Sequence, residues 1–191
     1  MEEKRIVTVE QLAGELERER KRTRRRRRRH TAFRVLLALL LALFVAGLLL
    51  APVLRISGDA MADTLRDGDI ALGLRLPRYA NGDVVVFRYN GGVLVKRLIA
   101  AGGDWVEIDH EGRLFVNGAR LEEPYVAEIA RGNCDVVFPL TVPEGCCFVV
   151  GDNRAVSIDS RSTVIGCIEE AALDGRMLLR IWPLSRFGLI R

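Results

Sequence analysis

Two runs decide the fold: Asp83–Tyr89, DVVVFRY, and Val93–Ala100, VLVKRLIA, separated by Asn90-Gly91-Gly92. Both are rich in β-branched and aromatic residues, and the break between them is made of turn formers. Each therefore reads as a β-strand bounded by a turn. The same texture extends outward. Asp69–Leu72, Trp105–Ile108, Leu114–Val116 and Cys147–Val150 read as further short strands, and Asn81-Gly82, Gly102-Gly103 and Asn117-Gly118 as turns. Helical periodicity is confined to Glu169–Leu173. The expected fold of residues 55–191 is mainly β, a coiled antiparallel sheet or barrel-like domain.

Upstream the texture is different. Val35–Leu54, VLLALLLALFVAGLLLAPVL, is 20 residues without a charge, bracketed by Arg34 and Arg55. At ~1.5 Å per residue such a helix is ~30 Å long, the thickness of the bilayer hydrocarbon core. Residues 1–34 hold 13 Lys/Arg against 6 Asp/Glu, a net of +7; the whole chain is +4, so residues 35–191 sum to −3. With the basic flank on the N-terminal side, the positive-inside rule puts residues 1–34 in the cytoplasm, 35–54 across the membrane and 55–191 outside. A cleaved secretory signal would have a shorter apolar region of ~7–15 residues and a small-x-small site after it. This segment is longer and runs into Pro52-Val53-Leu54-Arg55.

The arginine run Arg24–Arg29 precedes this segment. It suits anionic lipid head groups. Nucleic acid is not expected as a partner, because the globular part is mildly acidic. Thr8 and Gln11 have the spacing of a capping box that opens a short helix through Leu12 and Leu16.

The four cysteines, Cys134, Cys146, Cys147 and Cys167, form no CxxC pair, and the only histidines are His30 and His110. No zinc site of ordinary spacing can be drawn from them, and no metal or cofactor is expected. Two readings stay open for the thiols: a disulfide in an extracytoplasmic domain, or small buried side chains.

Three segments hold candidate chemistry. Strand alternation puts Lys96 on the same face as Leu94 and Leu98. If that face is buried, desolvation lowers the lysine pKa and turns the amine into a general base; otherwise it is a lysine snorkelling at a strand edge. Gly151-Asp152-Asn153-Arg154, followed by Ser157, Asp159, Ser160 and Arg161, is a polar loop at a strand end, where functional residues often sit. Asp159 and Arg161 can pair, and Ser157 can orient another group. The third segment, Gly58–Leu65, follows the apolar stretch closely and is unremarkable by itself.

Together these segments resemble type I signal peptidases, membrane-bound endopeptidases that remove signal peptides from exported preproteins. The family's Ser-Met-x-Pro-Thr-Leu box is here Ala60-Met61-Ala62-Asp63-Thr64-Leu65, with Asp67-Gly68-Asp69 after it. Its Gly-Asp-Val-Val-Val-Phe box is Gly82–Phe87, and its Lys-Arg-x-Ile box is Lys96–Ile99, ending in Gly103-Asp104. Val116–Gly118, Glu123-Pro124-Tyr125, Gly151–Arg154 with Ser157–Arg161, and the tail Arg180–Leu184 complete the series in order. The resemblance implies a serine nucleophile at position 60, Lys96 as its base, Ser157 orienting the lysine, and Asp159, Arg161, Gly151 and Asp152 as structural support. It also implies substrate contact at Met61 and the backbone N–H of residue 60 as an oxyanion donor. Some members carry a second oxyanion serine where this chain has Gly58.

Ala60 has no nucleophilic oxygen, and Asp63 stands where the family has proline. The resemblance therefore implies a Ser/Lys endopeptidase inactivated at position 60. The alternative is a natural pseudoprotease that binds signal peptides or regulates an active partner without cleaving. Retaining a buried lysine and its polar loop costs stability, which favours the first reading. Ser57 and Thr64 are the nearest substitute hydroxyls.

Overall fold

The computed structural model describes residues 27–45, 47, 51–62 and 64–190. The chain divides into two compact units, Met1–Leu49 and Leu50–Arg191. In the first, residues 27–45 and 47 are helical. Among the described residues no helix is long and apolar enough to cross a membrane. Residues 46 and 48–50 of the apolar segment lie outside the described residues, as do Arg24–Arg26, the expected helix from Thr8 to Leu16, and Asp63.

The second unit is built from strands β1 (Val53–Arg55), β2 (Ile70–Leu74), β3 (Val84–Tyr89), β4 (Gly92–Ala101), β5 (Trp105–Ile108) and β6 (Leu114–Val116). It continues with β7 (Ala119–Arg120), β8 (Leu140–Thr141), β9 (Cys146–Val150), β10 (Ile168–Glu169), β11 (Leu173–Trp182) and β12 (Gly188–Leu189). The main sheet runs β1-β2-β11-β3-β4-β9-β10, with β12 beside β11; a smaller sheet runs β7-β6-β5-β8. Every pairing is antiparallel. The mainly β reading holds.

The unbroken apolar run in β3 has a structural cause. Val84 and Val86 pack with Ile56, Met61, Leu65 and Met177 on one face, and Val85 and Phe87 pack with Leu98, Cys147 and Val149 on the other. A strand buried on both faces needs no polar alternation. A third cluster, around Ile99, Val106, Leu114 and Phe148, joins the main sheet to the smaller one.

Three expectations are corrected. Val53 and Leu54, expected at the end of the apolar helix, belong to β1 and pair with Leu72 and Ala71. Pro52 just before them has no N–H to donate and disfavours helical backbone at Ala51, the residue before it. Glu169–Leu173 is not an amphipathic helix: one 3-10 turn, Glu170–Ala172, links β10 to β11. Residues 174–182, given no element by the sequence reading, belong with Leu173 to the ten-residue strand Leu173–Trp182, inside the main sheet between β2 and β3. Its register slips between Leu173 and Gly175, Met177 and Leu179, and Arg180 and Trp182, which erases the period-two signal.

All four cysteines are free thiols. Burial, with Glu170 nearby, pushes the Cys147 thiol up to about 12, and its S–H donates to the Ile168 carbonyl at 3.3 Å.

Candidate active site

The site forms where β4 changes partners. From Gly92 to Arg97 this strand pairs with β3, and from Arg97 onward it also pairs with β9 through Arg97↔Val150. Lys96 therefore stands where the chain leaves β9 at Gly151. Its side chain is buried, at 3% exposure, and Nζ donates to Ser157 Oγ at 2.8 Å. Ser157 in turn helps hold the Asp159 carboxylate below its usual range. Asp159 also accepts from the Gly151 N–H at 2.9 Å and from Arg161 Nε and Nη2 at 2.8 and 2.9 Å. An amine, a hydroxyl, a carboxylate and a guanidinium thus stand in one buried line.

The electrostatics follow from that order. Burial lowers the Lys96 pKa below its usual range, with Asp159 opposing and Arg161 assisting. Burial alone would raise Asp159, but the hydrogen bond and charge of Arg161 outweigh it and hold the carboxylate low. Arg161 also donates to the carbonyls of Arg131 at 2.9 Å and Arg154 at 3.0 Å. Among the described residues no buried side-chain polar atom lacks a hydrogen-bond partner.

Gly151 is required by close approach. A Cβ there would lie 2.5 Å from the Ala60 carbonyl oxygen and closer still to Ser157 Oγ. Two main-chain donors beyond it hold the turn that carries Ala60: the Asn153 N–H bonds the Ala60 carbonyl at 3.1 Å, and the Asp152 N–H bonds Met61 Sδ at 3.4 Å. Among the described residues the Ala60 N–H has no partner. Ala60, Met61, Ser57, Ile56 and Val93–Lys96 line a common cavity of about 130 Å³. The sequence-predicted residues Ala60, Met61, Lys96, Gly151, Ser157, Asp159 and Arg161 are thereby brought together.

Asp152 is paired outside its own loop. It takes a two-pronged bond from Arg97, with Nε at 2.8 Å and Nη2 at 2.6 Å. Arg97 Nη1 donates to the Gly82 carbonyl at 2.7 Å, and its guanidinium lies 3.7 Å from the centre of the Tyr125 ring. Thr64 Oγ1 donates to Asp152 Oδ2 and accepts from Arg97 Nη2 at 3.2 Å. The Thr64 hydroxyl is therefore committed to this network; Ser57 remains in the cavity with Ala60 and Lys96.

The residues that sequence reasoning missed are Arg97, Glu123, Tyr125 and Arg154. Arg154 forms a buried ion pair with Glu123, donating through both Nη1 (3.0 Å) and Nη2. Their partners are distant in sequence, so spacing gave no sign of pairing. The one available signal was their place inside the motifs.

Comparison with known proteins gives the family. A family model described as signal peptidase, peptidase S26, matches residues 28–182. Signal peptidase IB of Staphylococcus aureus (strain COL) is 34% identical over 165 residues, covering 76% of this chain and 85% of the relative. Signal peptidase I of Bacillus licheniformis is 33% identical over 165 residues, covering 79% and 87%. A crystal structure of a signal peptidase I from Enterococcus faecalis V583 aligns at TM-score 0.46 and 32% identity, over 53% of this chain and 98% of that one. With the family model spanning most of its length, this chain belongs to the signal peptidase, peptidase S26, family.

Proposed function

We propose that this chain carries the site of a membrane-bound serine endopeptidase of the Ser/Lys type, which removes signal peptides from exported preproteins, with the attacking oxygen missing at position 60. As it stands it holds a signal peptide without cutting it. The observation that carries this reading is the Lys96–Ser157 contact of 2.8 Å, with Lys96 lining the same cavity as Ala60.

The mechanism follows from who donates to whom. Ser157 accepts from Lys96, and Asp159, held ionised by Arg161, stands behind it. A neutral Lys96 then keeps its lone pair for a hydroxyl at position 60. With serine there, Lys96 takes the hydroxyl proton as the oxygen attacks the peptide carbonyl. The amine then protonates the leaving nitrogen, and water, deprotonated by the same amine, releases the acyl group. The unpartnered Ala60 N–H is the oxyanion donor. With Gly58 and Ala60 offering no side-chain oxygen, the methyl of Ala60 stops the sequence before its first step. The small cavity suits small side chains, which the family selects before the cut.

The membrane part of the reading rests on residues 35–54 and their basic flank. Residues 1–34 are cytoplasmic, the apolar segment from residue 35 up to Pro52 anchors the chain in a bacterial cell membrane, and the β domain works on the outer face beside anchored preproteins. Arg24–Arg29 meets anionic head groups at the inner surface. The alternative, a natural pseudoprotease that regulates an active partner, shares the binding half of this account. Asp63, three positions after Ala60 in the sequence, favours it, because the motif departs from the family at two positions.

Binding of a labelled signal peptide with alanine at the first and third positions before the cut, to this chain in liposomes, tests the reading. Saturable binding with the peptide recovered intact is expected, and Ala60→Phe, which fills the cavity, abolishes it. Binding no tighter than that of a scrambled peptide contradicts it.

A further inference from the structure

Glu123-Pro124-Tyr125 takes no part in the line of groups at Lys96, yet it touches both arginines that brace the site. We propose that Glu123 and Tyr125 are positioning residues: they form a strap, anchored on the smaller sheet, that fixes Arg97 and Arg154 and through them the main chain at residue 60. This rests on the serine–lysine reading given above.

The strap begins at Leu121, whose side chain packs on the cluster between the sheets and whose N–H donates to the Leu114 carbonyl at 2.9 Å. Glu123 then holds the Arg154 guanidinium from two sides, and the Tyr125 O–H donates to the same carboxylate at 3.1 Å. Arg154 Nε donates to the Gly151 carbonyl at 3.1 Å. Gly151 and Arg154 bracket Asn153, whose N–H holds the Ala60 carbonyl. On the other side the Tyr125 ring covers the Arg97 guanidinium, and Arg97 holds the Asp152 carboxylate. The Asp152 N–H reaches Met61, next to Ala60.

The strap thus meets both main-chain donors, 152 and 153, at one remove. Arg97 and Arg154 are at 1% and 2% exposure. Their planar forks transmit position because each is bonded along several directions at once. A local shift of this turn displaces residue 60 from Lys96, and such misplacement is costly even when the altered residue is far from the chemistry.

The test uses the full chain in liposomes. In an Ala60→Ser background, Glu123→Gln and Tyr125→Leu each lower kcat on a preprotein about tenfold or more, with KM held within about twofold. Tyr125→Phe, which keeps the ring over Arg97, retains most of the activity. A second readout needs no catalysis: in the chain carrying Ala60, both strap variants speed amide exchange at Asn153 about tenfold, while the β3 and β4 amides keep their rates. Unchanged kcat together with unchanged Asn153 exchange overturns the proposal. If Ala60→Ser is inactive, the serine–lysine reading fails, and Asn153 exchange alone decides the strap. If Glu123→Gln does not fold, the Tyr125 variants decide it by the same two readouts.

Discussion

The Lys96 amine donates to the Ser157 hydroxyl at 2.8 Å. Ser157 is therefore an acceptor toward the lysine. That polarity leaves the lysine lone pair unused, and it makes a definite pH dependence. In Ala60→Ser, peptide cleavage should rise with pH as Lys96 loses its proton, with a midpoint below the ordinary lysine value of 10.5, because burial lowers it. A pH–rate profile checks this; a midpoint at or above 10.5 contradicts it.

The same lowered pKa carries a stability cost. Between the folded and unfolded values the unfolded chain binds more protons, so stability rises with pH across that window. Lys96→Met should thus raise the melting temperature at neutral pH. The gain should shrink as pH approaches 10.5, where the unfolded lysine also becomes neutral. Thermal unfolding of the two proteins at neutral pH and near that limit reads the effect.

Asp159→Asn should have the opposite outcome. It leaves Arg161, at 1% exposure, without its counter-charge, a change that costs about 3–5 kcal/mol when one partner of a buried pair is removed. Because the folded Asp159 pKa is lowered, its contribution is present above its ordinary value of 3.8 and is lost as pH falls through the folded value. Urea denaturation at neutral pH should show the full penalty, and acid should narrow the gap.

Gly151→Ala tests the closeness of the loop to the nucleophile turn. The added methyl meets the Ala60 carbonyl at 2.5 Å, as well as Ser157 Oγ and Cβ. Overpacking of this kind costs about 1–3 kcal/mol. In the Ala60→Ser background it should also cut kcat more than it raises KM, since both the lysine-orienting hydroxyl and the nucleophile turn must move. A neutral change in both stability and kcat contradicts the packing.

Much of this was legible because the informative features are local. β3 to β6 and β9 announced themselves by composition, and Lys96, Ser157, Asp159 and Arg161 by short-range pattern. β11 was not legible: its slipped register hides the alternation, and its place between β2 and β3 is set by partners about a hundred residues away. The Arg97–Asp152 and Arg154–Glu123 pairs were hidden for the same reason, since a buried ion pair between distant segments leaves no periodic trace. The end of the apolar segment was misread because Val53 and Leu54 suit a helix in lipid as well as a strand in a sheet. Pro52 decides between the two.

Cleavage by Ala60→Ser is the most direct measurement of the central claim. The restored chain, folded in liposomes, is incubated with a preprotein, and the product's new N-terminus is sequenced. A complete Ser/Lys site predicts cleavage after the signal peptide, absent in the chain carrying Ala60 and abolished again by adding Lys96→Ala. A folded Ala60→Ser protein that binds the preprotein and leaves it uncut would contradict that claim and assign the chain to binding alone.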